Sequence, residues 1–208
     1  MTNEIVRWRA IFETAVEAFV EVVGEIDAGS WESHGLGEWT VRDLVGHASR
    51  AMLTIELYLA RQSGEIAIGD AVAYLLGAGQ AVEAARESVA QRGRDAGAAL
   101  GAEPAVTVRE IAERVIALVE RTADDATCVT PFGTITLGDY IETRSFELTV
   151  HTLDCCQALG IAPPDELAGA VTACLGLLAE AIGETPKAAE VLLALTGRRS
   201  LPDDLGLF

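Results

Sequence analysis

Positive charge is scarce in this chain. Lys and Arg together number 15 against 32 Asp and Glu in 208 residues, a formal charge of -17. A surface of that sign repels phosphate backbones and anionic headgroups, and no basic cluster offsets it, so nucleic acid and membrane surfaces are not expected partners. Long apolar runs are missing as well: no segment comes near the ~18 uncharged apolar residues of a bilayer-spanning helix. The opening MTNEIVRWRAIFET sets acids among its first apolar residues, unlike a secretory leader, which leads us to expect a cytoplasmic protein. Cysteine is limited to Cys128, Cys155, Cys156 and Cys174, read as reduced thiols; the neighbours Cys155 and Cys156 point to different faces of a helix and do not pair. Nucleophile-elbow, phosphate-loop and dinucleotide fingerprints are absent, as are internal repeats and low-complexity tracts. Small molecules and proteins remain as partners.

What is present is helix. Half of the residues are hydrophobic, enough for one full core in a chain of this length. Ile5, Trp8, Phe12, Ala15, Phe19, Val22 and Ile26 recur in steps of three and four, with Glu13, Glu17, Glu21 and Glu25 off that stripe, which predicts an amphipathic first helix. Breaks near Gly29 and Gly35 precede Trp39 and a Thr40-x-x-Asp43 start signal, a capping box with Asp in place of Glu. The second helix runs to about Arg61, with Leu44, Ala48, Ala51, Ile55 and Leu59 inward and Gln62-Ser63-Gly64 ending it. Ala- and Gly-rich residues 65–104 are read as one helix over about 71–91. A further helix over 108–120 presents Ile111, Val115, Ile116 and Val119, with Thr107 and Glu110 spaced as a capping box. Residues 127–136, β-branched and punctuated by Pro131 and Gly133, are expected to form a loop with extended pieces. Thr136 and Asp139 then open a helix over 137–159, and two shorter helices, 165–182 and 186–195, follow Gly160, Pro163 and Pro164. The expected fold class is all-α: an antiparallel four-helix bundle over 1–160 with a C-terminal helical extension, 161–208, packed on it.

The helix over 137–159 carries the chemistry. On a wheel of about 100° per residue, Tyr140, Arg144, His151, Asp154 and Ala158 fall within about 60° of Glu147, making one largely polar line. Apolar Ile141, Leu148, Cys155 and Leu159 flank it on one side, and Phe146, Val150 and Leu153 on the other. Glu142, Ser145, Thr152 and Cys156 take the opposite pole, the expected solvent face, so the charged line points inward. Buried carboxylate, imidazole and guanidinium must compensate one another or bind something, because an unpaired buried ion costs several kcal/mol. A closed Arg144-Glu147-His151-Asp154 network that only fastens the bundle satisfies that requirement too. His47, on the buried face of the second helix, adds a further donor; alone it reads as a core histidine. Taken with Glu147 and His151 it completes a two-histidine, one-carboxylate set of the kind that holds a divalent ion with positions left open.

Two segments carry a family resemblance. WTVRDLVGH, ending at His47, and PFGTITLGDYIETRSFELTVHTLD, which contains Arg144, Glu147, His151 and Asp154, resemble the mycothiol-dependent maleylpyruvate isomerases of the DinB/YfiT-like metal-binding bundles. The resemblance spans about residues 1–160, and the ending LTGR through LGLF is similar to short members. It implies a DinB-like bundle that binds a divalent ion, usually zinc with nickel an alternative, through His47, Glu147 and His151. It further implies use of the open metal position to present a low-molecular-weight thiol such as mycothiol to an electrophile. A thiol of pKa ~8.5 is mostly protonated at neutral pH, and coordination deprotonates it. Arg144 then holds a carboxylate of thiol or substrate, or serves as salt-bridge partner to Glu147 or Asp154, and Asp154 orients an imidazole. Maleylpyruvate isomerases of this family have a longer C-terminal domain than residues 161–208, so the implied chemistry is S-transfer, conjugation or isomerisation of an unassigned electrophile.

The competing reading is a non-catalytic metal-binding or regulatory protein. Zinc-containing anti-sigma factors are marked by His-x-x-x-Cys-x-x-Cys; His151 and Cys155 meet the first half, but Ala158 stands where the second cysteine belongs. Cys155 is expected to be a core thiol, with a fourth ligand the alternative. His34 is expected in an exposed loop, and Arg198 as an exposed side chain that offers an anion contact. The many alanines and leucines make a homodimer a further expectation.

Overall fold

A computed structural model of the chain describes residues 2–61, 64–84 and 86–201, with side chains over 7–61, 64–78 and 88–201. Eight α-helices occur among the described residues: α1 (Thr2–Gly24), α2 (Val41–Leu59), α3 (Ala71–Ala84), α4 (Arg86–Ala99), α5 (Pro104–Arg121), α6 (Leu137–Leu159), α7 (Ala168–Gly183) and α8 (Ala188–Leu195). A two-stranded hairpin, β1 (Thr127–Thr130) and β2 (Gly133–Thr136), lies between α5 and α6, and a 3-10 turn, Asp165–Leu167, precedes α7. The all-α class is as expected from the sequence.

Helices α1, α2, α5 and α6 pack on one another and enclose the main core. The stripe on α1 is buried from Trp8 through Ile26 while Glu13, Glu17, Glu21 and Glu25 are exposed; Ile5 lies outside the described side chains. Leu44, Ala48, Ala51 and Ile55 of α2 are likewise buried, each large one removing apolar area worth about 1.5–3 kcal/mol. The proposed stop after α2 falls partly outside the description, at Gln62 and Ser63. Thr40 caps α2 as a complete capping box: its hydroxyl accepts from the Asp43 amide at 3.2 Å, and the Asp43 carboxylate accepts from the Thr40 amide at 3.1 Å.

Four expectations need correction. The helix read over 71–91 reaches further: its described parts are α3 and α4, on either side of residue 85, which lies outside the described residues, and α4 continues to Ala99. The small residues that blur its periodicity are what its packing on α2 requires: a Cβ on Gly46 would lie 2.2 Å from the Gly97 nitrogen, so the two backbones are in contact. Helix α5 begins at Pro104, not after Thr107, because proline fits the first helical position, where no amide partner is needed. Thr107 sits inside that helix and donates to the Leu100 carbonyl at 2.9 Å. The far pole of α6 is not a solvent face. Ser145, Thr152 and Cys156 are buried, and the two hydroxyls donate to the Ile141 and Leu148 carbonyls of their own helix at 2.8 and 2.7 Å. Their burial follows from α6 packing against α1, α2 and α7 at once. Finally, the stretch Asp165–Gly183 is long and apolar enough by length and composition to cross a membrane, its best 18-residue window having a mean hydropathy of 1.5. Its inner face, with Ala173, Cys174 and Leu177, forms a second small core with Trp8, Leu75 and Phe146.

The loop expected at 127–136 is the hairpin, with Thr127 paired to Thr136 and Thr130 to Gly133. Thr130 closes its turn by donating to the Gly133 carbonyl at 2.7 Å and accepting from the Phe132 amide at 3.1 Å. The hairpin delivers the chain to Thr136, whose hydroxyl caps α6 by accepting from the Asp139 amide at 3.2 Å.

Candidate metal centre

The charged line of α6 faces α2, as its wheel position requires. Tyr140 is fully buried, and its hydroxyl donates to Thr54 of α2 at 2.9 Å. One turn on, the Arg144 guanidinium lies 4.7 Å from the Tyr140 ring centre and 5.6 Å from that of Tyr74 on α3, and Phe132 of the hairpin packs edge-on against Tyr74. Arg144 is only 8% exposed, so its charge is held largely by aromatic faces, by the Thr143 hydroxyl at 3.1 Å and by Glu147 at 3.9 Å.

Glu147 and His151 follow at one-turn spacing, with the His151 Nε2 3.4 Å from a Glu147 oxygen. On its other edge the His151 Nδ1 lies 2.9 Å from an Asp154 oxygen. This carboxylate fixes the ring and directs Nε2 toward Glu147, as an outer carboxylate does for a metal-bound histidine. Across the gap, the His47 ring of α2 stands edge-on to His151, with centres 4.7 Å apart. Its Nδ1 is buried and has no hydrogen-bond partner among the described residues.

The electrostatics separate the two imidazoles. Burial pulls His47 down to about 3, with His151, Arg50 and Arg92 adding to the effect against the pull of Glu147. Burial also disfavours a charged His151, but the Asp154 and Glu147 carboxylates outweigh it and raise the group to about 9. For Glu147, burial is outweighed by the hydrogen bond from His151 and the charge of Arg144, which hold it down at about 2. A neutral His47, an ionised Glu147 and a His151 that can give up its proton make a donor set for a cation.

One donor atom from each of His47, Glu147 and His151 lies within 4.8 Å of the other two, the only such group of three or more among the described residues. Small side-chain adjustments converge such a set on one ion, whose bonds to nitrogen and oxygen are about 2.0–2.2 Å long. Two imidazoles and one carboxylate suit zinc and the later first-row divalent ions. The neutral ring of His47 and the compensated charges of Glu147 and His151 fit such a centre, and Arg144 and Asp154 adjoin it.

Other singled-out residues lie elsewhere. Cys155 is buried in the main core, where burial pushes its thiol up to about 12. Cys128 is likewise raised to about 12 by burial; both are inert thiols. All four cysteines are free. His34 is exposed, with Nε2 3.1 Å from the Gly37 carbonyl, and exposed Arg198 donates to the Thr196 carbonyl. Sequence reasoning missed two neighbours of the centre. Tyr74 comes from the segment whose periodicity was too weak to orient. Trp39, whose indole lies 4.5 Å from the His47 ring, was visible only as the residue before a helix cap.

Comparison with protein families gives one match, mycothiol maleylpyruvate isomerase N-terminal domain, a DinB-like family, over residues 12–156. That span includes α2, α6 as far as Cys156 and every residue of the centre. No curated protein and no solved structure matches the chain at a significant level.

Proposed function

We propose, given that the chain belongs to the mycothiol maleylpyruvate isomerase N-terminal domain family, that it is a metal-dependent enzyme acting on a low-molecular-weight thiol and an electrophile. The observation that carries this reading is the convergence of His47, Glu147 and His151 within 4.8 Å, at the family's matched region. In this reading the three side chains hold one divalent ion, zinc by the chemistry of its donors and nickel as the alternative. A bound ion supplies positive charge that lowers a thiol pKa from ~8.5 into the neutral range. The thiol is mycothiol or a similar small thiol, and the reaction is isomerisation or S-transfer.

The residues of the chain divide the work. Asp154 holds the His151 ring through Nδ1, so that Nε2 faces Glu147. Arg144 stands 3.9 Å from Glu147, a loose contact, and is the proposed catalytic contact for a carboxylate on thiol or electrophile. Buried Cys128, Cys155, Cys156 and Cys174, with thiols all raised by burial, do not compete as nucleophiles, so the reacting thiol comes from solution. Residues 1–160 form the ion-binding bundle in this reading and 161–208 its C-terminal extension, and the enzyme works in the cytoplasm.

Elemental analysis of purified protein beside a His151→Ala variant tests the proposal, followed by mycothiol titration of the cobalt-loaded form. About one ion per chain, lost in the variant, and a mycothiol-dependent change in the cobalt spectrum are expected. A wild-type protein that retains no divalent ion after incubation with excess zinc would overturn it.

A further inference from the structure

The two histidines of the centre are secured by different means. His151 has a carboxylate on Nδ1. His47 has nothing equivalent: its Nδ1 is buried without a hydrogen-bond partner among the described residues, so no acceptor sets the rotation of its ring. An imidazole on two rotatable bonds that lacks an outer hydrogen bond must be oriented by packing alone.

The packing comes from Trp39. Its ring lies 4.5 Å from that of His47 at an interplanar angle of 33°, a tilted stack that covers one imidazole face, while His151 stands at 84° to the same ring. Trp39 is itself fixed at two points. Its indole N–H donates to the Ala90 carbonyl of α4 at 3.1 Å. Its six-membered ring and nitrogen rest on Gly93, where an added Cβ would lie 2.6–2.8 Å from three indole atoms. Only glycine admits the indole so close to the α4 backbone. Trp39 precedes the Thr40 cap of α2, so one element carries both the ring that holds and the ring that is held.

We infer that Trp39, seated on Gly93 and tied to Ala90, is the positioning residue for His47 and sets the orientation in which that histidine meets the ion. The inference rests on the proposed ion centre. It goes beyond the ligand set by assigning the aromatic face the part that a carboxylate plays for His151.

The test uses the full-length protein and cobalt alone. Trp39→Leu removes the aromatic face, and Trp39→Phe keeps a ring while losing the bond to Ala90. Cobalt affinity is expected to fall about tenfold or more in Trp39→Leu, the range seen when an outer support of a metal ligand is lost. The visible cobalt band is expected to shift in Trp39→Leu and to keep its position in Trp39→Phe, with affinity within about threefold of wild type. Gly93→Ala displaces the indole without removing it and is expected to move affinity and band in the same direction as Trp39→Leu, which keeps the test decisive if the leucine variant does not fold. Wild-type affinity and an unshifted band in the folded leucine variant or in Gly93→Ala, or a phenylalanine variant as impaired as leucine, would overturn the assignment while leaving the ion centre standing. A wild-type protein that takes up no cobalt would overturn both.

Discussion

The two sides of the centre, α6 and α2, solve the same problem with different chemistry. On α6, Arg144, Glu147, His151 and Asp154 succeed one another at helical spacing, and each charge is compensated by the next along the line. On α2, His47 stands with a bare buried nitrogen beneath an indole, and its support comes from tertiary packing. The α6 side is therefore a local device, assembled once a single helix forms, whereas the α2 side exists only when α4 has docked on α2. Damage to polar groups should act through the first side, and damage to packing through the second.

The largest effect expected is on the ion of the proposed centre. His151→Ala removes a donor and the partner of both Glu147 and Asp154, so ion content should drop from about one per chain to near zero by elemental analysis. Retention of a full equivalent would break the comparison at its root. Asp154→Asn probes the polar side without touching a donor. Metal affinity should fall about 10–100-fold, read by chelator competition, with the cooperative unfolding of the protein preserved.

Gly46→Ala probes the packing side. Its methyl group meets the Gly97 backbone at 2.2–2.5 Å, so α4 must shift, at an expected cost of about 1–3 kcal/mol in thermal or denaturant unfolding. Because α4 also seats Trp39, metal affinity should weaken as well, although the substituted residue offers no polar group. Loss of the Thr136 cap in Thr136→Ala should cost about 1 kcal/mol of stability and leave the ion in place.

A subtler asymmetry lies in the protons. His151 in the ion-free protein is raised to about 9 from 6.5, so its charged form stabilises the fold fully below about pH 6.5, and that contribution is lost as pH rises through about 9. His47, held down at about 3, is neutral at pH 7 and has one ring nitrogen already bare. A donor nitrogen must shed its proton to bind an ion, so uptake at pH 7 should release about one proton, from His151 and not from His47. Calorimetry in buffers of different ionisation enthalpy measures that number, and a release near two would mean that His47 is also protonated.

The same division governs what could be read from sequence. The α6 line was legible because its residues share one helix, where a period of 3.6 fixes their relation before any tertiary contact. His47 could be placed on an inward face by Leu44 and Ala51, but nothing in the spacing shows that Trp39 covers it, since the indole is positioned by Ala90 and Gly93 some fifty residues away. The end and the packing face of the helix in segment 65–104 were hidden for a related reason: Gly46 and Gly97 carry their packing signal as an absence of side chain, which hydrophobic periodicity does not register. Ser145 and Thr152 misled in the opposite sense, because their hydroxyls bond within α6 and so bury without cost to the helix. Pro104 was the better start signal for α5 than the Thr107-x-x-Glu110 pattern, whose threonine bonds back to Leu100 and Glu103.

The enclosure of Arg144 between Tyr74 and Tyr140 bears on how fast an anionic ligand arrives. From a distance such a ligand meets a molecule of formal charge -17 and is repelled; within the last few ångströms it meets a guanidinium whose field, sheltered from water, is weakly screened. Attraction and repulsion therefore act over different lengths. Salt that shortens the reach of the outer field should leave the inner one largely intact, so association with an anionic ligand should quicken as ionic strength rises, the reverse of the slowing that accompanies electrostatic steering.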